Sequence, residues 1–287
     1  MSVRYVVRHE TRYRYEREVA HSHQLLHLTP RDGPRQRCLQ HEIRIDPAPA
    51  VRSEFIDAFG NRVTRVELDR LHEHLQVIAD LEVDVETAPE PPAAVEDWER
   101  VRAQLGYVAG ARAPQWLEAA RFRGESPFVR IKQLYADFAH DCLRPGASVL
   151  EVAAALTARI HAEFTYAPGE TEVGTPLLEV FHKRRGVCQD YAHLMIACLR
   201  SAGLAARYVS GYLHTSGASA SHAWVAVFAP PAGWVEYDPT NGVRVAREHV
   251  ALAWGRDFGD VSPLRGVILG GGSRPLSVDV AVRMASA

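Results

Sequence analysis

Apolar and polar residues alternate along much of the first 90 positions of the chain. Val3-Arg4-Tyr5-Val6-Val7-Arg8-His9 opens an extended run that continues through Thr11, Tyr13 and Tyr15. Residues 39–46 (LQHEIRID), 62–68 (RVTRVEL) and 75–85 (LQVIADLEVDV) alternate in the same way. A period of two sends successive side chains to opposite faces, so each run predicts a strand with one buried face. Phe59-Gly60-Asn61, between two such runs, is a hairpin turn signal. The simplest account is a β-sandwich-like N-terminal domain over residues 1–90.

The pattern then changes. Residues 88–95 (APEPPAAV) hold three prolines and no period, which predicts a linker, set at 91–97. Residues 128–140 carry apolar side chains at 128, 131, 134, 135 and 138, a helical spacing. A second helix fits 148–164, with Ser148 as N-cap and Glu151 three residues on, a candidate capping box. Residues 167–175 predict a loop. Helix patterns followed by strand patterns predict an α+β core over 98–250. An extension over 251–287 ends in a clean alternation, Pro275 to Val282, after Gly270-Gly271-Gly272. That run needs a sheet edge, because an unpaired strand leaves its backbone groups unsatisfied.

Candidate chemistry sits in Arg184-Arg185-Gly186-Val187-Cys188-Gln189-Asp190-Tyr191. Tyr191, Leu194, Met195, Cys198 and Leu199 fall on one helical face, and Gly203 supplies a stop. Cys188 therefore opens a core helix, with Gly186 allowing a tight turn before it. A helix N-terminus presents free N–H groups and a partial positive charge, which favour a thiolate and can hold an oxyanion. Cys198, mid-helix on the apolar face, is expected in the core. Downstream, residues 207–213 predict a strand, and 221–228 and 234–241 predict the arms of a hairpin turning near 230 or 231. Opposed positions in such a hairpin sum to about 460–462. His222 and Asp238 sum to 460, so a base and its orienting carboxylate should meet across it.

Bulk properties narrow the classes. With 287 residues at 47% hydrophobic, two domains are expected. A formal net charge of −2 lacks the basic footprint of a nucleic-acid binder. Cys38, Cys142, Cys188 and Cys198 form no CxxC pair and no metal-ligand spacing. The HSHQLLH segment, with His21, His23 and His27, has no cysteine or acidic partner nearby for zinc, and the LHEHL segment, with His72 and His74, is read the same way; no metal or cofactor is expected. His193 points away from the thiol's face, and Asp190 suits the helix's first turn as a structural residue. The charged, alternating N-terminus lacks the apolar region of a signal peptide, and no stretch approaches the roughly 18 residues of a membrane span. A cytoplasmic location, with a peptide or protein substrate and no membrane or nucleic-acid partner, is expected.

The order Cys, His, Asp resembles that of the transglutaminase-like proteins. GVCQDYAHLMIACLRSAGLAARYVSGYL looks like the Cys motif of the bacterial branch, SHAWVAVF like its His motif and EYDPTNG like its Asp motif. Ser22, Pro30-Arg31 and Asp57-Ala58-Phe59-Gly60-Asn61 resemble the β domain that precedes the core there, and GRDFGDVSPLRGVILGG (255–271) fits its tail. The resemblance implies a papain-like core and thioester chemistry, with Cys188, His222 and Asp238 as a triad. It also implies a core complete by about residue 250, so that the last strand would pair with the N-terminal domain. Tyr166 resembles a position that donates to the oxyanion in related enzymes. Gln189 is an alternative donor, and Trp224 could wall the cleft. Family members include cross-linking enzymes, cysteine proteases, isopeptidases and peptide N-glycanases. Hydrolysis is expected ahead of amine-accepting cross-linking; a silent peptide-binding module is the alternative from another class. Calcium dependence, known in some animal relatives, finds no acid-rich loop here.

Overall fold

The computed structural model describes residues 2–92, 95–106, 110–215, 220–273 and 275–285. Residues 93–94 of the expected linker lie outside the described residues. In chain order the first elements are β1 (Ser2–Leu26), β2 (Gln36–Asp46), β3 (Val51–Ile56), β4 (Arg62–Leu68) and β5 (His72–Glu86). Short helices α1 (Trp98–Leu105), α2 (Pro114–Ala120) and α3 (Gln133–Ala139) follow, then α4 (Val149–Glu163), β6 (Thr165–Tyr166), α5 (Leu177–Lys183), β7 (Arg185–Gly186) and α6 (Cys188–Ser201). The chain continues through β8 (Ala206–Leu213), β9 (Ala220–Phe228), β10 (Trp234–Asp238), β11 (Val243–Arg244) and β12 (His249–Gly255). It ends with α7 (Phe258–Val261), β13 (Leu264–Gly270) and β14 (Leu276–Met284).

The N-terminal strands form one seven-stranded sheet in the order β2-β5-β1-β4-β3, with β13 and β14 also on β1. The sandwich-like expectation resolves to this single sheet because β1 runs for 25 residues and serves two halves. Its residues 2–14 lie between β5 and β14, and its residues 22–26 between β4 and β13, with a register break between Arg14 and Val19. Alternation did its work on β5: Leu75, Val77, Ala79, Leu81, Val83 and Val85 are all buried. The terminal run pairs with β1, from Tyr5 opposite Met284 to Tyr13 opposite Leu276.

The second sheet is antiparallel, in the order β11-β10-β9-β8-β12. Helix α6 packs against it and is buried nearly all round, as expected of a central helix. Arg200, in its last turn, fixes it by donating to the carbonyls of Phe122, Gly124, Ala206 and Arg256. The expected boundary at residue 250 is corrected: β12 (His249–Gly255) is the edge strand of this sheet, paired with β8. Its outer edge is capped by amide side chains from the N-terminal part. Gln36 exchanges two 2.7 Å bonds with the Ala251 backbone, and Asn61 exchanges bonds of 2.9 and 3.0 Å with that of Trp254. These amides do the work of a neighbouring strand. One continuous apolar cluster joins β1 and β5 to α6 and β8.

Ser148 and Glu151 form the capping box that starts α4. The helix expected over 128–140 is shorter, beginning at Gln133. Upstream, the Phe128 N–H is taken by Asp257 and the Ile131 N–H by Glu125, so side chains hold that segment out of the helix.

Candidate active site

Helix α6 begins at Cys188 because Asp190 fixes the turn before it. The Asp190 carboxylate accepts the Val187 N–H at 2.8 Å and the Thr171 hydroxyl at 2.7 Å. Burial pushes Asp190 up despite those bonds. Gly186 is corrected in role. It is not among the positive-φ glycines; its need is space, since a Cβ there would meet Asp190 Oδ2 at 2.6 Å. Cys188 is half-buried and faces a cavity of about 320 Å³, which His222 and Gln189 also line.

Strands β9 and β10 carry the other two residues. Their pairs, such as Val227 with Val235 and Val225 with Tyr237, sum to 462. His222 and Asp238 are thus diagonal neighbours on one face, and His222 Nε2 donates to Asp238 Oδ2 at 2.7 Å. That leaves Nδ1 to face the thiol, and Cys188 interacts with His222 through its side chain. Burial opposes a charge on His222. The hydrogen bonds to Asp238 and Cys188 outweigh it and hold the imidazole up at about 10. Burial likewise opposes a charge on Asp238, but bonds from His222, His249 and Asn241 hold its carboxyl far below the usual carboxylate range.

His249 is the residue that sequence reasoning missed. It opens β12 and donates from Nε2 to Asp238 Oδ2 at 3.1 Å, almost fully buried. HVALAWG reads as an apolar strand, and only the β8–β12 pairing brings its histidine to the carboxylate. The donor atoms of His222, Asp238 and His249 lie within 4.8 Å of one another. The separations to Asp238, 2.7 and 3.1 Å, are those of hydrogen bonds, and they account for the cluster.

The other candidates separate. Tyr166 pairs opposite Gly186 and is 53% exposed; burial raises its hydroxyl and the nearby Cys188 charge adds to that. Gln189 lines the cavity and donates to the Val173 carbonyl at 3.2 Å. Trp224 as a cleft wall is corrected. It is fully buried behind His222, donates its indole N–H to Glu236 at 3.2 Å, and fills space that a side chain at residue 211 would block. Gly211 answers that need: a Cβ there would lie 2.4 Å from the Trp224 ring. His193 is buried, accepts the Phe258 N–H, and is pushed down to about 3 by burial. Cys198 is fully buried, which raises its thiol. His27 bonds with the Ser262 carbonyl, and His74 with Asp46.

Comparison with known proteins agrees with this layout. Residues 5–84 match the family model described as the bacterial transglutaminase-like N-terminal region, and residues 136–239 match that of the transglutaminase-like superfamily. An uncharacterized protein of Mycobacterium tuberculosis is 39% identical over 284 residues, covering 92% of this chain and 87% of that one. A Pseudomonas aeruginosa protein named protein-glutamine gamma-glutamyltransferase is 30% identical over 185 residues, 54% of this chain and 27% of that one. A crystal structure of a candidate cysteine protease from Cytophaga hutchinsonii superposes with a TM-score of 0.78 at 20% identity, over 100% of this chain and 92% of that one, which shows a common fold.

Proposed function

This chain belongs to the transglutaminase-like superfamily, and from that premise we propose that it is a cysteine-dependent acyl-transfer enzyme working on peptide, isopeptide or carboxamide bonds. The observation that carries the reading is the 2.7 Å bond from His222 to Asp238 beside a thiol at the start of α6. His222 takes the Cys188 proton, which sets an imidazolium between the Asp238 carboxylate and the thiolate so formed. The thiolate attacks the carbonyl, and the oxyanion is held by N–H groups of the first helical turn, which have no intrahelical acceptor. The Tyr166 hydroxyl, on the strand beside Gly186, is a further candidate donor. As the C–N bond breaks, His222 Nδ1–H protonates the leaving amine and a thioester remains. An incoming water then gives its proton to His222 and displaces the thiolate. Asp238 holds the imidazole orientation throughout, as a positioning residue.

Hydrolysis is the first reading. The second, an amine as acceptor, draws support from similarity to the P. aeruginosa protein named as a glutamyltransferase. A peptide-library screen with and without an added primary amine separates them. Hydrolysis gives free acids in both arms; transfer gives amides that appear only with the amine. A silent binding module would give neither, and iodoacetamide at neutral pH would then show no preference for Cys188 over half-buried Cys38.

A further inference from the structure

The cavity in front of Cys188 lies between the two sheets. One wall is catalytic: Cys188 and His222. The facing wall comes from the N-terminal sheet: Thr11 and Tyr13 of β1, with Val278 and Leu276 of β14. These are register partners, Thr11 opposite Val278 and Tyr13 opposite Leu276, so they form a continuous patch. Among the described residues, no Asp, Glu, Lys or Arg lines the cavity.

Strand geometry produces that neutrality. Successive side chains on β1 point to opposite faces. Its odd positions, His9, Thr11 and Tyr13, reach the cavity. Its even positions carry the charges, which are paired away from it: Arg8 with Asp80, and Arg12 with Glu10 and Asp279. On β14 the same alternation sends Leu276 and Val278 inward and leaves Asp279 to Arg12. The one group on this wall that could carry charge near pH 7 is already satisfied. His9 is bonded to the Tyr212 hydroxyl at 2.9 Å and the Thr11 hydroxyl at 3.0 Å, and burial pushes it down to about 4, so it is neutral near pH 7. Leu276 and Val278 remain 53% and 47% exposed, apolar surface open at the mouth of a site that contains the nucleophile.

We propose that this wall is a specificity pocket: the acyl donor presents an uncharged, apolar side chain to it, and donors with a charged side chain beside the attacked carbonyl are rejected. The proposal rests on the acyl-transfer reading above. A charged group laid against this wall would lose water and gain no counter-charge from it, whereas an aliphatic or aromatic group would cover Leu276, Val278 and the Tyr13 ring.

The test uses four activated esters, the p-nitrophenyl esters of N-acetylated leucine, phenylalanine, aspartate and lysine. The rate with the Cys188→Ala variant is subtracted. The leucine and phenylalanine esters should exceed the other two in kcat/KM by on the order of 100-fold. Val278→Lys, which puts a cation on the wall, should raise the aspartate ester at least about tenfold relative to leucine. Equal rates for all four esters, or an unchanged preference in Val278→Lys, would overturn the pocket while leaving the acyl-transfer reading intact. No ester reacting faster with the native protein than with Cys188→Ala would overturn that reading, and the pocket with it.

Discussion

Five hydrogen bonds converge on the carboxylate of Asp238: from His222, His249 and the Asn241 side chain on Oδ2, and from the Thr240 and Asn241 backbone on Oδ1. The arrangement fixes a buried anion and, through it, the imidazole. Its folded-state value lies below the ordinary 3.8, so its contribution to stability is present above about pH 4 and is lost as pH falls further. His222 has the opposite sign. Raised from 6.5 to about 10, it contributes fully below pH 6.5 and loses that contribution as pH rises toward 10. Asp238→Asn should therefore flatten both limbs of a plot of urea midpoint against pH, and a profile that keeps its shape would contradict the linkage. His249→Phe keeps an aromatic ring but removes the donor, and should cost about 1–3 kcal/mol in urea unfolding while lowering kcat. Unchanged stability would make the 3.1 Å bond energetically empty. Cys198→Ala should lose on the order of 1 kcal/mol through a small cavity and keep its activity in the folded fraction. The His222–Asp238 pairing could be read in the sequence because the two lie 16 residues apart across one hairpin. His249 could not, since its strand reaches the site through a pairing on the far side of β8.

Elements bring these residues together. Helix α6 starts where it does because Asp190 occupies the space that a side chain at residue 186 would take. Gly186→Ala should displace that carboxylate, free the Val187 N–H and shift Cys188. Its expected signature is a fall in kcat with a stability loss of about 1–3 kcal/mol. Native kcat in that variant would separate Asp190 from the positioning of the thiol. The same scale shows what periodicity can tell. Strict alternation revealed β4 and β5, and the capping box revealed α4, because local sequence specifies both. The short helices α1, α2 and α5 went unread: each has seven or eight residues, too few for a face to show. The start of α3 was set by Asp257, 129 positions away from Phe128, a contact no local window contains.

At the scale of the molecule, the two sheets share one apolar cluster, and the C-terminal strands belong to the N-terminal sheet. The chain thus closes on its own beginning, with β1 serving as the strand on which β4, β5, β13 and β14 all depend. Removing residues 273–287 would bare one edge of β1 and one side of the cavity. Limited proteolysis of that truncation should cut early within residues 1–90; early loss of the core around an intact N-terminal sheet would contradict the dependence. The sequence implied that a final strand needed an edge, and resemblance chose which. That the same strand lines the site could be seen only once the sheets were placed.

In the proposed chemistry Cys188 carries the acyl group. Intact-protein mass spectrometry of the enzyme, acid-quenched during turnover of a substrate peptide, reads this directly. The expected result is a mass increase equal to the acyl fragment, mapped to Cys188, released by hydroxylamine, shortened in lifetime by an added amine acceptor if transfer operates, and absent in Cys188→Ala. Turnover without any such adduct in the native protein, or turnover persisting in Cys188→Ala, would contradict it.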